Sequence, residues 1–270
     1  MPQEDDQIIP KIIHTCWFGG GRKSAKMLKL ERLRKQTLHD YEHVEWNEKN
    51  IEFARFPFLA KCHQSRHFAH LSDMVRLIKL FEIGGIYLDT DVEVVRTFTP
   101  LLSNEMFLGY MWDCNLGTAI IGARAGHPII EGLLETYVVR PDEISTDVPN
   151  NDMMTAAFIA TVEGFRLDGR AWRGKNVAVY DKTTFEHPSF LWRRNYTVHH
   201  FSASWRQERR AKAVIKGLIA QMPLGLYLYR KYICAKSIGL SPFKDLYKEA
   251  RASAPRPVPP PQEAGGRPSR

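Results

Sequence analysis

The sequence predicts an α/β domain built on a mostly parallel central sheet, followed by a C-terminal helical extension. Three observations support this class. Short apolar runs that suit strands alternate with stretches whose apolar residues recur at helical spacing. The chain has 270 residues and is 44% hydrophobic, which is enough to bury a core of this size. After residue 205 the strand-like runs stop and a basic, helical pattern replaces them.

The N-terminal part contains a strand, a helix and a second strand in that order. Residues 8–18 form an apolar run entered through Pro10, and the glycines at 19–21 end it. Residues 24–38 have helical spacing, and Ser24 is placed to cap this helix. Residues 44–46 suit a short strand. This order begins an α/β pattern.

The next helix leads directly into a strand. Residues 72–83 are predicted to be helical, with an apolar stripe formed by Leu71, Met74, Val75, Ile78 and Phe81. Gly84 and Gly85 end this helix with a left-handed turn. Residues 86–88 then form a short strand that runs into Asp89. Further strands are expected near residues 106–109, 118–122 and 177–180.

Charge and composition divide the chain into three parts: a main domain at 1–205, a basic amphipathic helical extension at 206–250 and a disordered Pro/Gly-rich tail at 251–270. Residues 206–270 carry 14 Lys and Arg against 4 Asp and Glu, whereas residues 1–205 carry 24 against 26. The net charge of +8 therefore does not indicate a nucleic-acid-binding main domain. The uncharged run at 217–229 is shorter than the roughly 20 residues that span a bilayer.

The cysteines and the first residues indicate a compartment. Cys16, Cys62, Cys114 and Cys234 are far apart and form no CxxC pair, so we expect reduced thiols and neither a disulfide framework nor a zinc site. The first residues, MPQEDDQIIPK, are acidic and polar, unlike a secretory signal. We therefore expect a cytoplasmic protein, either free in the cytoplasm or peripheral at the inner face of the membrane.

Two carboxylates stand one residue apart at the end of the strand at 86–88. In open α/β sheets ligands bind at the carboxyl ends of the strands. Asp89 and Asp91 there would offer two hard oxygen ligands to one Mn²⁺ or Mg²⁺ ion, which commonly keeps other positions for substrate phosphates. The alternative is a solvated turn, because Asp is favoured in turns.

The helix before this strand carries a second charged pair. Asp73 and Arg76 are three residues apart, on one face of the helix. Asp can accept hydrogen bonds from sugar hydroxyls, and Arg can hold a hydroxyl or a phosphate oxygen. The alternative is a surface ion pair, worth about 0.2–0.5 kcal/mol.

Together these residues resemble a known family. The pattern S-D-x-x-R followed by G-G-x-Y-x-D-x-D is similar to the signature of the glycosyltransferases with a DXD sugar-binding region, grouped as family 32. Residues 9–20, IPKIIHTCWFGG, resemble the family's opening strand. Residues 115–128 and 199–205 resemble its later segments. The resemblance covers residues 8–205 and does not extend to the remainder.

The resemblance implies a GT-A-like single Rossmann-type domain, a nucleotide-sugar donor and transfer with retention. It implies that Trp17 stacks on the nucleobase and that Asp73 and Arg76 hold the donor sugar. Asp89 would contact the ribose or a metal-bound water, and Asp91 would bind the metal. His14 fits better as a core histidine.

The segment at residues 199–205 and Asn115 supply further candidates. Only one of His199 and His200 can face inward if they lie on a strand, and we prefer His200 as the third metal ligand. Ser204 and Trp205 resemble the loop that covers the diphosphate. Asn115 would contact the donor sugar or the acceptor, or would be a turn residue before a strand.

One segment departs from the family pattern, which often has a Gly-Pro pair before the following helix. Residues 148–155, VPNNDMMT, stand there instead. Asn151 and Asp152 would line the acceptor side or cap a helix. The resemblance therefore defines the roles of residues on the acceptor side less well than those of the other candidates.

Two other functions remain open from the sequence. A phosphatase of the haloacid dehalogenase class would use Asp89 as its nucleophile, although no later acidic pair of that class follows. A catalytically inactive sugar-binding protein is the second alternative. We expect a glycosyltransferase of surface-polysaccharide or capsule assembly, with a glycan or lipid-linked acceptor. Its basic extension would contact anionic membrane or pack on the main domain.

Overall fold

The structure is a computed structural model that describes residues 7–139, 150–189, 195–201 and 225–253. Its centre is a seven-stranded sheet in the order β2-β1-β3-β6-β5-β8-β7. A separate pair, β4 and β9, forms a small antiparallel sheet. The strands are β1 (Ile12–Cys16), β2 (Glu42–Trp46), β3 (Gly85–Leu88), β4 (Val92–Val94), β5 (Met106–Trp112), β6 (Asn115–Ala123), β7 (Trp172–Arg173), β8 (Val177–Tyr180) and β9 (Thr197–His199).

Helices connect the strands and cover the sheet. They are α1 (Ala25–Thr37), α2 (Pro57–Gln64), α3 (Phe68–Glu82), α4 (Pro128–Val139), α5 (Asn150–Thr161), α6 (Lys182–Phe185), α7 (Gly225–Leu240) and α8 (Lys244–Ser253). Short 3₁₀ turns lie at Phe53–Arg55 and Thr99–Leu101. The predicted α/β class is confirmed.

The sheet is mixed, with one dominant strand direction. The pairings β1–β2, β1–β3 and β5–β8 are parallel, and those of β6 with β3 and with β5 are antiparallel. The edge strand β7 is also antiparallel to β8. Five of the seven strands therefore point the same way, as a mostly parallel sheet requires. The reversed β6 follows from the tight β5–β6 hairpin.

The elements before Asp89 have the predicted types and order, and they differ from prediction in where they begin and end. Ser24 caps α1 by accepting a hydrogen bond from the Met27 amide at 3.2 Å. β1 is shorter than the predicted run at 8–18, because the amides of Ile8 and Ile9 both donate to the Leu102 carbonyl, outside the sheet. The strand thus begins only after Pro10.

The connection from α3 to β3 depends on two glycines. α3 begins at Phe68, four residues before the predicted start, so Asp73 lies inside the helix. Gly84 and Gly85 have φ values of +74° and +112°, the left-handed region that favours glycine. The Gly84 amide donates to the Leu80 carbonyl at 3.0 Å and ends the helix, as predicted. A sharp turn of this kind brings the end of β3 beside α3.

The core fills both faces of the sheet. On β3, Tyr87 faces α3 and the helices α2, α4 and α5, whereas Ile86 and Leu88 face the opposite layer. The opposite layer includes Phe98 and Phe185. This alternation follows from the two-residue period of a strand. It leaves Asp89, the next residue, at the carboxyl edge of a buried strand.

The C-terminal helices lie against the main domain. Phe243, between α7 and α8, packs on the core, and Arg166 Nη2 donates to Ser253 Oγ at 2.6 Å. α8 continues to Ser253, so residues 251–253 are helical and the predicted boundary of the disordered tail at 251 is corrected. Residues 206–224 and 254–270 lie outside the described residues. Within the described ranges, no helix combines the length and the hydropathy needed to cross a bilayer.

Candidate active site

Asp89 lies in the turn that follows β3. Its amide donates to the Ala119 carbonyl on β6 at 2.9 Å, and its own carbonyl accepts from the Val92 amide at 3.1 Å. The Tyr87 hydroxyl donates to Asp89 Oδ1 at 2.8 Å. The side chain keeps 30% of its surface exposed. The strand backbone and the Tyr87 hydroxyl therefore fix the position of Asp89, and part of its carboxylate is exposed at the edge of the sheet.

Asp91 lies two residues further, directly before β4, and is mostly buried. Its Oδ1 is 3.2 Å from His199 Nε2. One ligand atom each from Asp89, Asp91 and His199 lie within 4.8 Å of one another. We call these three residues the DDH triad. Two hard carboxylates with one imidazole are a donor set that fits Mn²⁺ or Mg²⁺, so the residues present suit the expected cation.

The preference for His200 as the metal ligand was wrong. The antiparallel register of β4 and β9 pairs Val92 with His199, and the His200 amide donates to the Asp91 carbonyl at 3.2 Å. The His200 ring then turns the other way, with Nε2 at 2.8 Å from Glu93 Oε2. Strand alternation predicted that only one histidine could face Asp91, and the register places His199 there.

His199 is enclosed by acidic groups. Its Nδ1 lies 2.7 Å from Glu186 Oε2, and its ring stacks on Phe201 with centroids 4.0 Å apart. Burial alone would favour the neutral ring, but Glu186 and Asp91 outweigh it and raise the pKa of His199 to about 10 without a bound cation. Glu186 was not singled out in the sequence, because nothing in its local pattern connects it to a strand thirteen residues later.

Asp73 and Arg76 form a buried pair next to the triad, not a surface ion pair. Arg76 Nη2 lies 2.7 Å from Asp73 Oδ1 and 3.5 Å from Asp89 Oδ1. Arg76 Nη1 donates to the Thr118 carbonyl at 2.7 Å, and its guanidinium lies 4.3 Å from the centroid of the Tyr87 ring. These contacts fix the direction of the guanidinium and link α3 to the D-x-D loop.

The charge states of this pair follow from their surroundings. Burial opposes the charged form of Arg76, but Tyr87, Asp89 and Asp73 together raise its pKa, so it stays cationic. Burial raises the pKa of Asp73, and Arg76 acts in the opposite direction. A guanidinium fixed in this way can donate a hydrogen bond to a ligand oxygen without moving.

A row of amides lines the side of the site formed by β6 and α5. Asn150 Nδ2 donates to Asp73 Oδ1 at 3.2 Å, and Asn115 Nδ2 donates to Asp152 Oδ1 at 2.5 Å. Asn151 Nδ2 donates to the Leu116 carbonyl at 2.8 Å. Within the described part of the chain, nothing donates to the buried Oδ1 atoms of Asn115 and Asn150. Asn115 is a candidate that the sequence predicts, whereas Asn150 pairs with Asp73 only because α5 packs beside β6, which the local sequence does not indicate.

The aromatic candidates are also located. Trp17 is partly buried directly after β1, which is parallel to β3, so it shares the carboxyl edge of the sheet with Asp89. Trp17 Nε1 donates to the Gly21 carbonyl at 2.8 Å. His14 is a satisfied core residue, as expected: Trp46 Nε1 donates to its Nδ1 at 3.1 Å, and its Nε2 donates to the Gly84 carbonyl at 2.7 Å. Ser204 and Trp205 lie outside the described residues.

Residues 24–108 match the family model described as "Glycosyltransferase sugar-binding region containing DXD motif". The match includes Asp73, Arg76 and the D-x-D pair. Over these residues the chain is similar to the DXD glycosyltransferase family. His199 and Glu186 lie beyond the matched residues, and the fold brings them to the D-x-D loop.

Two yeast proteins are similar to part of the chain. Inositol phosphoceramide mannosyltransferase 3 of Schizosaccharomyces pombe is 32% identical over 135 residues, which are 45% of this chain and 35% of that protein. A mannosyl phosphorylinositol ceramide synthase of Saccharomyces cerevisiae is 29% identical over 127 residues, 45% of this chain and 33% of that protein. The chain thus spans about a third of the length of these relatives.

Among solved structures, the glycosyltransferase PaToxG superposes with a TM-score of 0.49 at 20% identity, over 58% of this chain and 70% of that one.

Proposed function

We propose that this protein is a metal-dependent, retaining glycosyltransferase that transfers a sugar from a nucleotide-sugar donor to a glycan or lipid-linked acceptor. The observation that carries the proposal is the convergence of the DDH triad with the buried Asp73–Arg76 pair. The family match supports the sugar-transfer chemistry and weighs against the phosphatase alternative. The alternative is a catalytically inactive sugar-binding protein, which would bind a donor without releasing nucleoside diphosphate.

Asp89, Asp91 and His199 would hold the cation. When bound there, a divalent cation supplies positive charge that neutralises the diphosphate of the donor. The chain's own contribution is to fix three ligand atoms within 4.8 Å, at the end of a buried strand that cannot shift without disturbing the core. The ligands are thus positioned before the donor arrives.

Arg76 and Asp73 act on the donor sugar in this proposal. The guanidinium is already fixed by Asp73, by the Thr118 carbonyl and by the face of Tyr87, so little side-chain entropy is lost when a donor oxygen binds. The carboxylate of Asp73 would accept from sugar hydroxyls. Trp17, at the same edge of the sheet, would stack on the nucleobase, a contact worth about 1–3 kcal/mol.

In this proposal the sugar is transferred without a covalent enzyme intermediate. The bond between C1 of the sugar and the diphosphate oxygen breaks, and its electron pair leaves with the nucleoside diphosphate. The acceptor hydroxyl oxygen forms a bond to C1 on the same face, and its proton passes to the departing diphosphate. Retention is implied by the family resemblance, and Arg76 would stabilise the charge that develops.

The relatives suggest which substrates to test first. Their names specify mannose transfer and an inositol phosphoceramide acceptor, so a mannose donor and a lipid head group with free hydroxyls are the first candidates for this chain. A role in capsule or other surface-glycan assembly is compatible with a lipid-linked acceptor.

We also propose a cytoplasmic location with peripheral attachment to anionic membrane. Cys16, Cys62 and Cys114 are free, buried thiols, which fits a reducing compartment. On α7, Leu228 and Tyr232 are exposed beside the exposed lysines Lys231 and Lys236. Apolar and cationic groups on one surface suit the interface of an anionic bilayer, where each Lys contributes about 1 kcal/mol.

The proposal is tested by calorimetric titration of the purified protein with GDP and UDP, with and without Mn²⁺. We expect one nucleotide to bind only when Mn²⁺ is present. Trp17→Ala should weaken this binding about 5–150-fold, the equivalent of 1–3 kcal/mol, whereas Trp172→Ala, whose indole donates to the Gly164 carbonyl, should not. Binding that is equal with and without Mn²⁺ would contradict metal-dependent donor recognition.

A further inference from the structure

We infer that Glu186 is the positioning residue of the metal site and that Gly117 makes the space in which it works. This inference rests on the proposed function, because it assigns the control of the third metal ligand. Neither residue lies in the D-x-D loop, and Gly117 follows Asn115 by two positions on β6.

Glu186 is held rigidly where it can direct His199. It lies directly after α6 and is 2% exposed. Its amide donates to the Lys182 carbonyl at 3.0 Å, and its carbonyl accepts from the His199 amide at 3.1 Å. Its carboxylate then reaches His199 Nδ1 at 2.7 Å. Backbone and side chain of Glu186 therefore both bind the same residue of β9.

The consequence is a fixed ligand atom for His199. A carboxylate can only accept, so Nδ1 carries the proton that is shared with Glu186. Nε2 lies 3.2 Å from Asp91 Oδ1, where it also donates while no cation is bound, and it is the nitrogen that would release its proton to bind a cation. A histidine whose other ring nitrogen donates to a carboxylate is oriented and is a better ligand for a cation. Glu186 thus selects both the direction and the ligand atom of His199.

Gly117 explains how the carboxylate fits against the sheet. A Cβ atom at this position would lie 2.5 Å from Glu186 Oε1 and 3.3 Å from the Gly109 carbonyl oxygen. The strand therefore needs a residue without a side chain where Glu186 approaches. On the other side of the ring, Phe201 stacks on His199. Glu186 is enclosed between β6 and His199, so a small displacement of its carboxylate would be transmitted directly to the ring.

The chain contains a matched control for this arrangement. His200 makes the same kind of contact with Glu93, at 2.8 Å, but on the side away from Asp91. Glu93→Gln therefore removes the charge of a Glu–His pair next to the site without touching the residue that faces the triad. Glu186→Gln makes the same chemical change in the Glu186–His199 pair, whose histidine does face Asp91.

The test is Mn²⁺ binding to the full chain, followed by calorimetry and by the electron paramagnetic resonance signal of free Mn²⁺. We expect Glu186→Gln and Gly117→Ala each to raise the Mn²⁺ dissociation constant about 10–100-fold, and Glu93→Gln to leave it unchanged. Nitrogen NMR of the His199 ring with Mg²⁺ bound should show the single proton on Nδ1 in the native protein and lose that preference in Glu186→Gln.

The outcomes separate this inference from the function on which it rests. If the native protein binds no Mn²⁺, the proposed metal dependence fails. If the native protein binds Mn²⁺ and Glu186→Gln and Gly117→Ala bind it equally well, the metal site stands and the role of Glu186 is overturned. Thermal unfolding of each variant identifies a loss of fold, and in that case the NMR result on the native protein decides.

Discussion

The two neighbouring histidines at the end of β9 give the sharpest prediction at the residue scale. His199 faces Asp91, and His200 faces Glu93. We expect His199→Ala to weaken Mn²⁺ binding at least about 10-fold, because it removes one of three ligands. His200→Ala should bind Mn²⁺ like the native protein. Equal losses in the two variants, measured by free-Mn²⁺ resonance, would show that the DDH triad is not the binding site.

The sequence predicts individual site residues only where they are close together in the chain. Asp73, Arg76, Asp89 and Asp91 lie within one helix-to-strand segment, and the structure brings all four together. Choosing between His199 and His200 required the register of β9 on β4, a long-range property that local pattern does not contain. Glu186 and Asn150 were missed for the same reason, since each reaches the site through packing of a distant element.

At the scale of elements, the turn between α3 and β3 is the connection on which the site depends. A Cβ atom at Gly85 would lie 2.7 Å from the Ile12 carbonyl oxygen and 2.9 Å from His14 Nε2, and its φ is +112°. We expect Gly85→Ala to reduce the free energy of unfolding by about 3 kcal/mol, measured by urea denaturation.

Gly132→Ala is the control for this substitution. Gly132 lies inside α4, and a Cβ atom there would meet nothing within 4 Å. Because Ala is a better helix former than Gly, this variant should gain about 0.5–1 kcal/mol. If Gly85→Ala is as stable as the native protein, the tight approach of β3 to β1 is not required.

A buried histidine at the start of α4 should make the stability of the folded protein fall in acid. His127 is buried just before this helix, and its Nδ1 accepts from the Ile129 amide at 3.3 Å. Burial, reinforced by Arg124, lowers the pKa of His127 from 6.5 to about 4. Between these values the unfolded chain takes up a proton that the folded chain does not, so stability falls as the pH drops from about 6.5 towards 4.

His127→Asn isolates this contribution. Asn keeps an acceptor for the helix amide and does not titrate. Denaturation curves measured from pH 7 to pH 4 should therefore lose stability less steeply for the variant than for the native protein. Parallel pH profiles of the two proteins would rule out His127 as the source of the acid sensitivity.

Element types are predicted better than their limits and directions. α1 and β8 match their expected positions to within a residue, because a cap, periodic apolar residues and flanking turns define them. β6 runs opposite to the dominant direction, which depends on its pairing with both β3 and β5. α3 also begins four residues earlier than predicted, and no side-chain cap marks its first turn in the sequence.

At the scale of the whole molecule, the main domain and the extension have opposite charge and, in the proposal, separate roles. The described helices α7 and α8 pack on the main domain while α7 keeps Leu228 and Tyr232 exposed. We expect the double variant Lys231→Glu with Lys236→Glu to reduce binding to vesicles that contain anionic lipid, measured by co-sedimentation. Binding to neutral vesicles should be weak for both proteins, and undiminished binding to anionic vesicles would remove α7 from the membrane proposal.

In the proposed function the DDH triad holds a cation for sugar transfer from a nucleotide sugar. The proposal is tested by the release of nucleoside diphosphate from a panel of GDP- and UDP-sugars in the presence of Mn²⁺. We expect release from one donor, lost in Asp91→Asn and on chelation, and retained in His200→Ala. Release that persists in Asp91→Asn, or the absence of release from any donor by a protein that folds and binds Mn²⁺, would show that the triad does not serve this reaction.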